Sequence, residues 1–108
     1  MQLVDEIYKL TRSLPKDEIY RLTSQIKRAS VSIPCNIAEG IGRNYKRDTI
    51  QFLHISRGSL YEVETLLEIT RMTALITEEK CKQLSELIEE CLKILNGLIG
   101  YYEKSNLK

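Results

Sequence analysis

Two stretches in the second half of the chain place apolar or small residues at alternating intervals of three and four without a slip. The first is Leu53, Ser56, Leu60, Val63, Leu67, Thr70 and Ala74; the second is Cys81, Leu84, Ile88, Cys91, Leu95, Leu98 and Tyr102. Only a helix lines up positions at that spacing, because a strand would need a period of two. Thr77, followed by Glu78 and Glu79, supplies an N-cap hydroxyl and acids at the positive end of the dipole, so a helix starts there. Asp48 with Gln51 three residues on reads as a capping box for the preceding one. The spacing predicts helices over 48–76 and 78–104, each about 40 Å long at 1.5 Å per residue. A short connection between equal helices makes them antiparallel neighbours.

The first half repeats the pattern on a smaller scale. Leu3, Ile7, Leu10 and Leu14 form one amphipathic stripe that Pro15 ends, since the residue before a proline is biased away from helical torsion angles. Proline also suits the first turn of the helix that follows. From Lys16 the seam Ile19, Leu22, Ile26, Ala29, Ile33, Ile37 and Ile41 runs past Pro34, which predicts a helix kinked there, with the Ser30 and Ser32 hydroxyls compensating for the missing N–H. Gly40 and Gly42 are expected to close this helix in the left-handed conformation, and Gly58 with Ser59 to mark a close helix crossing. The fold class expected is all-α: one domain over 1–108, an antiparallel up-down-up-down four-helix bundle.

Composition removes several function classes. The chain has 16 Lys and Arg against 15 Asp and Glu, which leaves no global basic footprint. No apolar run reaches the ~20 residues of a membrane span, since Glu89, Glu90 and Lys93 interrupt the greasiest region. Asp5 and Glu6 stand where a signal peptide would be basic, so a cytoplasmic protein with no membrane partner is expected. Cys35, Cys81 and Cys91 form no CxxC pair and have no histidine companions; buried reduced thiols are expected, with no cofactor or metal. His54, the single histidine, follows the polar side of its helix. With no activated nucleophile and no Glu-x-x-His motif of the di-metal bundles, the chain is expected not to be an enzyme.

The run Gln25-Ile26-Lys27-Arg28-Ala29-Ser30-Val31-Ser32-Ile33-Pro34-Cys35-Asn36-Ile37-Ala38-Glu39-Gly40 is more specific than helix design requires. It resembles the signature of the four-helix-bundle family of 23S rRNA intervening-sequence proteins. The segment from Phe52 to Glu62, with its Gly58-Ser59 pair, looks like that family's second block. The resemblance covers nearly the whole chain and implies a ring-like homo-oligomer, with a pentamer favoured. A related branch, the accessory proteins of diversity-generating retroelements, implies a basic surface that engages reverse transcriptase and nucleic acid. The net charge of +1 is far less basic than that role would favour.

The function expected from residues and resemblance together is an oligomeric scaffold or adaptor that holds a protein or RNA partner. Its surplus of apolar surface on the fourth helix, with Leu92 and Ile99 on one flank, is the candidate oligomer interface. The alternative is an RNA- or DNA-binding module using Arg21, Lys27, Arg28, Arg43, Lys46, Arg47 and Arg57, with Tyr45 for stacking. Between residues 19 and 57 there are 7 basic and 2 acidic side chains. Gln25, Ser32, Asn36 and Glu39 share one line of the second helix. With Arg57, Ser59 and Glu62 on the third they are expected to form a polar network between helices, structural in purpose.

Overall fold

The computed structural model describes residues 1–14, 20–73 and 75–106. They form α1 (Gln2–Ser13), α2 (Tyr20–Ile41), α3 (Lys46–Met72) and α4 (Glu78–Lys104). Each helix packs on the next and α4 closes back on α1, with no close backbone approach across either diagonal. Descending pairs show that neighbours run antiparallel. Gly40 meets Thr49 and Ser32 meets Ser59 across α2 and α3, while Lys46 meets Ser105, Arg57 meets Asn96 and Arg71 meets Glu78 across α3 and α4. The core is the predicted set of stripes: Leu3, Ile7 and Leu10 from α1, Ile26, Ala29 and Ile33 from α2, Leu53, Leu60, Val63 and Leu67 from α3, Leu84, Ile88 and Leu95 from α4. Burying side chains of this size contributes roughly 1.5–3 kcal/mol each relative to exposure.

The helix ends agree with the sequence in part. α1 stops at Ser13, one residue before Leu14, and Thr77 accepts the Lys80 amide at 3.0 Å as the N-cap of α4. Pro15, Lys16 and Ile19, read as the opening of the second helix, and Ala74, which ends a stripe, lie outside the described residues. α3 begins at Lys46, two residues before the predicted capping box. Its N-cap is Tyr45, with no side-chain bond, and Asp48 sits inside the first turn instead. The helix can start early because the Asp48 and Thr49 amides both find the Tyr45 carbonyl.

α2 continues through Pro34 as a helix to Ile41. The neighbouring hydroxyls do not take the compensating role expected of them: Ser30 donates to the Lys27 carbonyl at 2.8 Å and Ser32 bonds across to Ser59. No glycine among the described residues adopts a left-handed φ, so Gly40 and Gly42 are not left-handed caps. Gly40 is instead a point of contact, where a Cβ would lie 2.8 Å from the Phe52 Cβ and 3.1 Å from the Thr49 carbonyl oxygen. Gly58 is the reverse case, since an added Cβ there meets nothing within 4 Å. The close crossing is at its neighbour Ser59.

Ile99 also departs from expectation. It is 5% exposed and belongs to the intramolecular core, and Leu92 packs partly buried against that core. The reason is the direction in which α4 faces α3: Asn96 bonds Arg57 on that side, and Leu92 and Ile99, four residues before it and three after, share that side of the helix. The flank assigned to other subunits is therefore inside the fold.

α1 is the short member. Twelve residues span about 18 Å against about 40 Å for the 27 of α3 or α4. It is held by Lys80, whose ammonium donates to the Glu6 carboxylate at 2.6 Å, and by Tyr8, over whose ring Lys27 sits at 5.2 Å. The Lys80 bond, helped by Lys9, holds the Glu6 carboxyl below the ordinary carboxylate range. A group whose folded pKa is depressed stabilises the fold above its unfolded pKa and loses that contribution as pH falls through the folded one. Lys80→Met is therefore expected to return the Glu6 titration, followed by carboxyl NMR, toward the ordinary value. It should also reduce the protection of α1 amides at neutral pH more than below the carboxylate range; equal effects at both would remove the ion pair from the account.

Candidate functional site

The polar residues of the signature converge on the seam between α2 and α3. Small side chains let the two backbones approach, and hydroxyls then reach across. Ser32 and Ser59 share a hydrogen bond of 2.8 Å. The Asn36 amide nitrogen donates to both the carbonyl and the hydroxyl of Ser32, each at 2.8 Å, which fixes the rotamer of Ser32 from within α2. Ser56 donates to the Ile33 carbonyl at 2.8 Å and Thr49 to the Gly40 carbonyl at 2.7 Å. Of these two, the sequence pattern singles out Ser56 alone, as a small member of an apolar stripe, and not Thr49. Their signal was spacing: 49, 56, 63 and 70 recur every seven residues, with hydroxyl residues at three of the four.

The expected network is therefore realised by Ser32, Asn36 and Ser59 and not by the rest. Gln25, Glu39 and Glu62 are exposed. Glu39 turns outward to Arg43, 2.9 Å away, whose guanidinium also lies 4.7 Å from the Phe52 ring centre. Asn36→Ala should then lower stability by about 1–2 kcal/mol through the loss of two half-buried bonds, whereas Glu39→Ala should stay within about 0.5 kcal/mol. Thermal melts of the two variants test this; equal losses would place Glu39 in the network after all.

Above Ser32 and Ser59 the two helices part into a cleft of about 270 Å³, lined by Gln25, Arg28, Ala29, Ser32, Ser59 and Glu62. Arg28 stands on the α2 wall and Glu62 on the α3 wall, and neither forms an ion pair with the other or with any described residue.

The basic residues do not gather. Lys27 faces α1, Arg21 is exposed on α2, Arg28 lines the α2–α3 cleft, Arg43 is held by Glu39 and Phe52, and Lys46 donates to the Ser105 carbonyl at 3.2 Å. Arg57 lies at the opposite seam, bonded to Asn96 at 2.9 Å and near His54. Arg47 and Tyr45 project from the connection into solvent, Arg47 with its Nε 3.9 Å from the Asp48 carboxylate. A run of positive charge in sequence thus becomes four directions in space, because a helix rotates each residue by about 100°.

Of the cysteines, Cys81 is buried and Cys91 half-buried, and burial pushes the Cys91 thiol up, away from thiolate chemistry. Cys35 is exposed, contrary to the expected buried thiol, because the seam of α2 turns inward on Ile33 and Ile37 and leaves position 35 on the outer side. His54 is exposed as expected. Among the described residues no three His, Cys, Asp or Glu side chains come together in a way that could hold a metal, and no helix is long and apolar enough to cross a membrane.

The model of the 23S rRNA-intervening sequence protein family matches residues 1–97. Among solved structures, a Bacteroides thetaiotaomicron protein of unknown function from the S23 ribosomal protein family is similar, with a TM-score of 0.83 and 28% identity over 91% of this chain and 92% of that one. No curated protein matches. The signature around Ser32, Asn36 and Gly40, the four helices and these two comparisons agree, and the chain belongs to the 23S rRNA-intervening sequence protein family.

Proposed function

We propose that this protein is a non-enzymatic, cytoplasmic building block of a homo-oligomeric scaffold, and that the interface is the apolar trough beyond the short α1. The observation that carries the reading is an exposed seam. On α2 the line that meets α1 at Lys27 continues through Val31, Pro34, Ala38 and Ile41; on α4 the line that meets α1 at Lys80 continues through Leu87, Cys91, Ile94, Leu98 and Tyr101. α1 covers only the first part. Past it, Ile41, Ile94 and Tyr101 are 53%, 60% and 63% exposed, on a surface without charge along either line. Apolar surface rimmed by polar residues marks an association site, and the family resemblance favours five copies in a ring.

Light scattering at several concentrations tests this. A mass several times 12.5 kDa is expected for the parent, and Ile94→Glu should reduce it toward one chain without unfolding. A parent that is a monomer throughout would overturn the reading. Nucleic-acid binding has less support, since its candidate residues are dispersed over separate faces.

A further inference from the structure

The cleft between α2 and α3 has an imbalance that the packing of the two helices does not explain. Asn36 donates to the Ser32 hydroxyl oxygen, and one hydrogen bond joins Ser32 to Ser59. Each hydroxyl carries one proton. Two hydroxyls therefore supply two protons, of which the shared bond uses one. Whichever serine donates in that bond, the other retains an O–H with no acceptor among the described residues, and both serines line the cleft. Arg28 on one wall and Glu62 on the other add a cation and an anion without an ion-pair partner among the described residues. Gln25 adds an amide, with both donor and acceptor.

A spare hydroxyl donor beside a guanidinium matches a carboxylate, and a carboxylate beside an amide oxygen matches an ammonium. Both sets of groups line one space of about 270 Å³, just below the 300–1,000 Å³ usual for drug-sized ligands and large enough for a single amino acid. We propose that this cleft binds a free α-amino acid as its zwitterion, with the carboxylate on Arg28 and the serine hydroxyl and the ammonium on Glu62 and Gln25. The site is independent of the scaffold interface, because it lies on the α2–α3 side of the bundle and the trough on the side of α1.

Titration of the isotope-labelled protein with each of the common amino acids, followed by amide NMR, tests the proposal. At least one is expected to shift the resonances of residues 25–32 and 59–62 with a Kd of about 1 mM. Acetate or methylammonium alone should need at least about tenfold higher concentration, since each meets only half of the site. Arg28→Gln and Glu62→Gln should each weaken the amino acid about tenfold or more, with melting temperatures unchanged because both side chains are exposed. No shifts with any amino acid at about 10 mM, or acetate binding as tightly as every zwitterion, overturns the proposal. So does a fall in oligomeric mass in Arg28→Gln or Glu62→Gln, which would assign the cleft to a neighbouring copy.

Discussion

Ile99→Glu is expected to unfold the protein, or to lower its stability by about 4 kcal/mol or more. Ile99 is 5% exposed beside Leu95 and Ile88, which are 1% and 2% exposed on the same face of α4. A carboxylate there would have no partner, and burying one unpaired costs more than the 5–15 kcal/mol stability of an ordinary domain comfortably absorbs. A melt followed by far-ultraviolet circular dichroism should show a loss of about 16 °C or more, on the scale of roughly 4–8 °C per kcal/mol for domains of this size. Ile94→Glu, five residues earlier and 60% exposed, should melt within a few degrees of the parent subunit while the oligomeric mass falls. The pair separates core from interface on one helix. A folded Ile99→Glu variant of reduced mass would reverse the assignment and restore the flank first expected from sequence.

That misassignment shows where periodicity stops being informative. The seam from Cys81 to Tyr102 and the stripes beside it are visible in the residues, and so is the fact that α4 is too apolar for one neighbour. Which of two apolar flanks turns inward depends on the side α4 presents to α3, marked by the Arg57–Asn96 bond, and how much of the other stays uncovered depends on where α1 ends along α4. That is a matter of relative lengths, 12 residues against 27, and of the Glu6–Lys80 ion pair, which joins residues 74 apart. The basic segment is dispersed over the fold for a related reason. Charges adjacent in sequence part in space, and Lys27, Arg43 and Lys46 are each taken up by a local partner, a tyrosine ring, a carboxylate with a phenyl ring, and a backbone carbonyl. The signature was legible as a set of residues but not as a mechanism. Ser32 and Asn36 read as members of one polar line and Gly40 as a helix cap, and the structure resolves them into a hydroxyl that crosses to α3, an amide that holds it, and a glycine that brings the backbones together.

The glycine makes the second large expected effect, because here the intrinsic preference and the packing have opposite signs. In an isolated helix Gly→Ala gains about 1 kcal/mol. At position 40 the new methyl would sit 2.8 Å from the Phe52 Cβ and 3.1 Å from the Thr49 carbonyl oxygen. Neither atom is the end of a flexible side chain, so α2 and α3 must separate. Separation strains the Thr49 bond to the Gly40 carbonyl and shifts Phe52 beneath Arg43. Overpacking of this kind costs roughly 1–3 kcal/mol, and with the lost bond it outweighs the helical gain, so Gly40→Ala is expected to be destabilising by about 2 kcal/mol overall. Gly58→Ala is the internal control: α3 is helical there and nothing lies within 4 Å of the new carbon, so it should gain up to about 1 kcal/mol. Chemical denaturation of both variants measures the contrast. If Gly40→Ala were as stable as Gly58→Ala, the α2–α3 seam would have to be looser than its hydroxyl-to-carbonyl bonds require, and the glycine that closes the signature would have no structural reason to be there.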